Sequence, residues 1–217
     1  MPVAQTLRPA GQPVPPGADE AFFRLVAADM EVGVAGLHEA RAELVFEDEP
    51  PPRRLAPFAA AMAANVLDGE DEIGWGKFVL LYDPAGQEAW GGQFRIIAYV
   101  RAELDPEIAA DPLISEVGWS WLTEALENQE AGYGQPSGTV TRVVTEGFGA
   151  KAGEPVATGF ELRASWSPTV PAEADGPDAR PALDSHVAAW CDALCMAAGL
   201  PPLGVSALRP PGRRRPQ

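Results

Sequence analysis

The sequence predicts an α+β domain: an antiparallel sheet of five to six strands with helices packed on one of its faces. Three observations carry that expectation. Several segments alternate apolar and polar residues with a period of two, the signature of half-buried strands. The connections between them are short and rich in Gly and Pro, as hairpins require. Segments with helical spacing stand between runs of strands rather than after every strand, which argues against a parallel sheet of βαβ units.

In chain order, residues 1–17 contain Pro2, Pro9, Pro13, Pro15 and Pro16 without an apolar period and are expected to be disordered. A helix begins near Asp19, with Phe22, Phe23, Val26 and Met30 along one side, and Gly33 to Gly36 should end it. From Arg41 the period is two: Ala42, Leu44 and Phe46 alternate with Glu43, Val45 and Glu47 until Pro50, Pro51 and Pro52 stop the strand. The next segment, FAAAMAANVL, stays open. Its alanines favour helix, while Phe58, Ala60, Met62, Ala64 and Val66 fit an alternating strand, and Pro57 tips the balance toward strand. KFVLLYD, Lys77 to Asp83, is apolar on both faces and belongs in the middle of a sheet, and PAGQEAW after it reads as a hairpin connection.

The clearest strand follows. Phe94, Ile96, Ala98, Val100 and Ala102 point one way, and Gln93, Arg95, Ile97, Tyr99 and Arg101 the other. Asp111 and Pro112 supply an N-cap and a first-turn proline to a helix, DPLISEVGWSWLTEAL. On a helical wheel Ile114, Val117, Gly118, Trp121 and Ala125 share its inner side. GQPSG should turn the chain into TVTRVVTEGF, which is β-branched and extended, and GFELRASW alternates again. The last helix, SHVAAWCDALCMAAG, should stop at Gly199. Residues 18–204 thus make a single domain. Its Pro-rich stretch 167–183 is expected to be a mobile linker before the last helix, and 205–217 form a basic tail.

Charge is the strongest compositional feature. Sixteen basic residues face thirty-one acidic ones, a net charge of −15. Four of the sixteen, Arg209, Arg213, Arg214 and Arg215, lie in the tail, leaving twelve to set against all thirty-one carboxylates. Such a body repels phosphate backbones, so nucleic acid is expected to meet it only through the tail. No apolar run approaches the ~20 residues of a membrane span, the N-terminus has no apolar signal core, and two cysteines are too few for a secreted disulfide framework. The expectation is a cytoplasmic protein without a membrane partner.

Catalytic motifs are missing: there is no GxSxG elbow, phosphate-binding loop, dinucleotide fingerprint or HExxH. Cys191, Cys195 and His186 share the last helix, but His38 is the only other histidine, and small buried cysteines account for the pattern better than zinc does. No metal or cofactor is expected. The candidate site is the open face of the sheet. A hairpin centred near Lys151 and Ala152 sets Thr141 across from Arg163, and Thr139 across from Ser165. Arg95, Tyr99 and Arg101 then share the face on a neighbouring strand, where arginines and a tyrosine can receive an acidic peptide or anion. The plainer account of these residues is ion pairing with Glu161 and Glu103. Trp119, at the border of its helix's core stripe, is the one tryptophan there placed to serve as a ligand platform, while Trp121 belongs to the core. One strand holds a conflict: Val140, Val144 and Phe148 share a parity with Arg142 and Glu146. Either Arg142 is buried against a carboxylate, Glu124 being best placed, or a bulge at Val143–Val144 returns it to the open face.

The segments DPAGQEAW, EVGWSWL, PSGTVTR and RASWSP, in that order and spacing, resemble a family of uncharacterised actinobacterial proteins, a domain of unknown function, over roughly Phe22 to Gly204. That resemblance implies no catalytic residue. The element order is also similar to that of type III secretion chaperones, which implies a dimer that holds extended peptide; the segment Phe58 to Val66 and the stretch after Trp166 depart from that plan. The expected function is a non-catalytic adaptor that docks a protein partner or acidic ligand on its sheet face, with a homodimer among its possible forms. The rival is an enzyme using Asp83, Glu88 or Glu116 near a tryptophan-lined cleft.

Overall fold

The structure is a computed structural model and describes residues 17–171, 174, 179–201 and 203. Six strands form one antiparallel sheet in the order β1-β2-β3-β4-β6-β5. They are β1 (Leu44–Asp48), β2 (Phe58–Asp68), β3 (Asp71–Gln87), β4 (Gly92–Glu103), β5 (Tyr133–Thr145) and β6 (Ala157–Pro168). The helices are α1 (Ala18–Ala40), the single turn α2 (Pro106–Ala109), α3 (Ile114–Asn128) and α4 (Leu183–Ala197). The fold is α+β, with helices on one side of an antiparallel sheet.

The period-two pattern explains which side. Phe78, Leu80, Ile96, Ala98, Val100, Phe160, Leu162 and Trp166 all share the face under the helices and are almost wholly buried. Phe22 and Phe23 of α1 close over Tyr82, Phe94 and Phe58 at the end of this face. Trp190 of α4 lies against Phe78 and donates its indole N–H to the Tyr99 carbonyl at 3.2 Å. The segment 58–68 is a strand despite its alanines, because Phe58, Ala60, Met62, Ala64 and Val66 fill the helix-side face.

Several expected boundaries move. Gly33 and Gly36 do not end α1, which continues to Ala40. Gly33 serves close packing instead: a Cβ there would sit 3.1 Å from the Asp184 backbone and 3.2 Å from Val187 Cβ. Asp111 and Pro112 do not open the tryptophan helix, which starts at Ile114 with Leu113 as N-cap residue. Asp111 Oδ1 accepts instead from the Leu113 N–H in a turn. The Asp–Pro start signal is used one element earlier, where Asp105 caps α2 and Pro106 is its first residue.

GQPSG is not a reversal. β5 runs through it, with a register break between Gly134 and Ser137 and Gln135 at φ 50, as expected where Pro136 cannot donate to a ladder. Ser167 and Pro168 finish β6, and Pro181 and Leu183 are buried, so the Pro-rich stretch is packed at both ends. Six of its residues, 172, 173 and 175–178, lie outside the described residues. So do residues 1–16 of the expected disordered segment and the basic tail, 205–217.

Candidate functional site

The open face is built from strand residues of odd number, and cross-strand register places them in rows. One row runs Lys77, Tyr99, Arg163, Thr139 across β3, β4, β6 and β5; the next runs Trp75, Arg101, Glu161, Thr141. Thr141 therefore opposes Glu161, and Thr139 opposes Arg163, two residues away from the register expected of the hairpin. The shift arises because the connection is centred on residue 151. Being even, it leaves every side chain on its expected face.

Within these rows the contacts are specific. The Arg163 guanidinium stands over the Tyr99 ring at 5.6 Å and bonds Glu161 of its own strand at 3.2 Å. Trp75 meets Tyr99 edge-on, with ring centroids 5.4 Å apart. Burial pushes the Tyr99 phenol above its ordinary pKa, and the Glu161 carboxylate beside it adds to that. Lys77 is held by Glu49 from the Pro-rich β1–β2 connection at 2.6 Å. Arg101 is exposed, and among the described residues it makes no salt bridge. The ion pairing expected across strands with Glu161 and Glu103 is replaced by one pair within β6, Arg163 with Glu161. Trp75, absent from the sequence-based set, completes the aromatic part of the face; its place in the alternation GWGKF was the available signal.

Arg95 has the expected parity but not the expected role. It is only 9% exposed. Its guanidinium donates to the carbonyls of Gln135 and Ser165 and to the hydroxyls of Ser137, Ser165 and Ser167. Desolvation holds its pKa below the ordinary arginine value. With its donors committed to protein oxygens, it joins β4 to the irregular start of β5 and is withdrawn from any docking surface.

Trp119 is half-buried on the other face. It lines a groove of about 380 Å³ between α3 and β5, together with Ser115, Glu116, Gly138 and Val140. Glycine at 138 lets Trp119 lie close against the strand: a Cβ there would lie 2.6 Å from Trp119 Cζ3 and 2.5 Å from the Arg163 carbonyl oxygen. Trp121 is half-buried too, against Phe160 at 5.5 Å. Leu122, not Trp121, centres the buried stripe of α3, and Val117 points outward at 40% exposure. A helix lying along a twisted sheet buries a narrower arc than the wheel assigns.

Arg142 resolves in neither expected way. Its register with Phe160 is continuous, without a bulge at Val143–Val144, and it stands on the helix side. It is nonetheless exposed, reaching the Asp111 carbonyl at 3.4 Å rather than Glu124. β5 is an outer strand that runs past the edge of the helix layer.

Of the carboxylates considered for catalysis, only Glu116 lines the tryptophan groove. Asp83 stands in the irregular last part of β3, accepting from the Ala85 N–H and Gln87 Nε2, and Glu88 is exposed in the connection that follows. Cys191 and Cys195 are free, buried thiols whose pKa values burial raises, that of Cys195 to about 12. His186 is 1% exposed and accepts the Trp166 indole N–H at 3.2 Å. Among the described residues, no His, Cys, Asp and Glu cluster could hold a metal ion. Among them too, no helix is long and apolar enough to cross a membrane.

Residues 22–206 match the model of a family described as protein of unknown function (DUF3000). No curated protein and no solved structure matches the chain.

Proposed function

The chain belongs to this family of unknown function, and from that premise we propose that it is a non-catalytic binding protein whose open sheet face docks an acidic, extended segment of a protein partner. The observation that carries the reading is the cluster of exposed Arg101 and Arg163 beside half-buried Trp75 and Tyr99 on two adjacent rows, within a protein of net charge −15. Most of the surface repels a polyanion; this patch offers two guanidinium groups beside aromatic rings. Arg101 is free of salt bridges within the described chain, and Arg163 can exchange Glu161 for a partner's carboxylate. Arg95 supports the patch by fixing the strands under it and belongs to the scaffold. Thr139 and Thr141 extend the rows with hydroxyl groups. The order helix, strands, helix, two strands, helix is the one expected of secretion-chaperone-like proteins that hold peptide, here with four strands in the first run. A cytoplasmic, actinobacterial setting accords with the acidic composition and the quoted motifs.

The enzyme reading has less to build on, since the tryptophan groove is lined by a single carboxylate, Glu116. The test is a comparative pull-down from the native host. The full chain, the R101E/R163E variant and the charge-matched R24E/K151E variant are used as bait, with co-eluting proteins identified by mass spectrometry. A protein retained by the wild type and the control variant but lost from R101E/R163E is the expected result. Identical sets from all three baits would remove the open face from consideration.

A further inference from the structure

β5 is the outermost strand, paired with β6 on one edge only. It is thirteen residues long, and nearly all of it is exposed. From Ser137 to Thr145 there is no proline, no lysine and no register break, and Arg142 is the one charged side chain that guards the edge. Apolar side chains crowd this end, with Val144 at 66% and Phe148 at 75% exposure. Beyond Thr145 the backbone at Phe148 is still extended, at φ −127 and ψ 161.

The order of side chains along this edge is self-complementary. On the helix-side face the strand presents Val140, Arg142 and Val144, and the same alternation carried past Thr145 adds Glu146 and Phe148. Antiparallel pairing of two copies about a two-fold axis at Val144 sets Val144 against itself, Arg142 against Glu146 of the second copy, and Val140 against Phe148 of the second copy. Directly opposed residues of an antiparallel pair project to the same face and interact. Each dimer therefore gains two cross-strand ion pairs, and Arg142 exchanges a long contact with the Asp111 carbonyl for a carboxylate. Val140 also lines the Trp119 groove with Gly138, Ser115 and Glu116. The pairing that matches the charges thus brings the most exposed aromatic ring of one copy beside the apolar groove of the other.

We propose that the chain forms a two-fold dimer through β5, joining two six-stranded sheets edge to edge, with Phe148 of each copy seated at the Trp119 groove of its mate. Edge pairing satisfies the outward backbone groups of β5, and the alternation Val, Arg, Val, Glu, Phe selects one register, because a shift of two residues opposes Arg142 to Val144 and leaves both charges unmatched. The open face stays free on the opposite side of the joined sheet, so this interface is independent of the docking patch.

Sedimentation velocity of the full chain over a concentration series tests it. The wild type is expected to sediment as a dimer of 22.9 kDa chains at the upper concentrations. R142E and E146R should each raise the dissociation constant tenfold or more through like-charge opposition. The R142E/E146R double variant, which restores opposite charges, should return it to within about threefold of the wild-type value. F148S should weaken the dimer with both charges intact. All three substitutions lie at exposed positions, and circular dichroism checks that each variant is folded. A wild type that stays monomeric throughout overturns the proposal. So does a dimer that none of the single variants weakens, or one that the charge swap fails to restore.

Discussion

Gly118 and His186 show how much depends on single groups in this core. A Cβ at position 118 would lie 2.3 Å from Cε2 of Phe160, a ring with no exposed surface of its own. Gly118→Ala should gain up to about 1 kcal/mol of helix propensity and lose about 1–3 kcal/mol to overpacking, so the net effect is destabilising. Denaturant melts measure it, and a more stable variant would mean that Phe160 has room to move. For His186, burial lowers the pKa to about 4, with the Asp184 charge acting weakly in the opposite direction. The folded state therefore refuses a proton that the unfolded chain accepts below about pH 6.5. Stability is unaffected by this group above pH 6.5 and falls as pH drops from there toward 4, by about 3 kcal/mol in total. His186→Asn keeps an acceptor near the Trp166 indole and has nothing to titrate. Melts across that pH range should show a shallower loss for the variant, and equal slopes would mean that other groups set the acid limit.

At the scale of elements, the strands were the legible part of the sequence and the helix details were not. Alternation fixes a strand's two faces directly, so the parities of 93–102 and 160–166 follow from residue type, and a register error of two residues at Thr141 cost nothing in facing. Helix ends depend on what lies opposite. Gly33 looks like a stop until Asp184 and Val187 of α4 are set against it, and Trp121 looks like core until Leu122 is seen to point more squarely at the sheet. The open-face patch was legible to the same extent as its strands. Arg95 was not, because its withdrawal depends on Gln135 and three serines from two other strands, which no local pattern reveals. That cluster makes a prediction about β5. Arg95→Met should leave two carbonyls and three hydroxyls short of a donor and cost about 2–4 kcal/mol. Arg95→Lys should recover little, since an ammonium cannot reproduce the planar fork. Hydrogen exchange at residues 133–138 should quicken in both variants while α4 stays protected; unchanged exchange there would show that the bulge holds itself.

The whole molecule is shaped by its charge imbalance. The described ion pairs each tie one basic side chain to a carboxylate, as Lys77 does Glu49 and Arg180 does Asp29, and among the described residues most carboxylates have no such partner. The excess is locally concentrated where Asp68, Asp71, Glu72 and Glu103 line one hollow beside the β2–β3 turn, together with Ile73 and no basic residue. Like charges held at such range raise the free energy of the compact state, and added salt screens them: the screening length falls from roughly 14 Å at 0.05 M to about 4 Å at 0.5 M. The ion pairs weaken over the same range, but exposed pairs contribute at most about 1 kcal/mol each, and they are outnumbered. Raising sodium chloride from 0.05 to 0.5 M should therefore raise the melting temperature by a few degrees, on the order of 1 kcal/mol for a chain of this size. Asp71→Asn should do part of the same work at low salt, and the salt response of that variant should be smaller than that of the parent. A melting temperature that falls with salt, in parent and variant alike, would mean that the few ion pairs outweigh the many unpaired carboxylates.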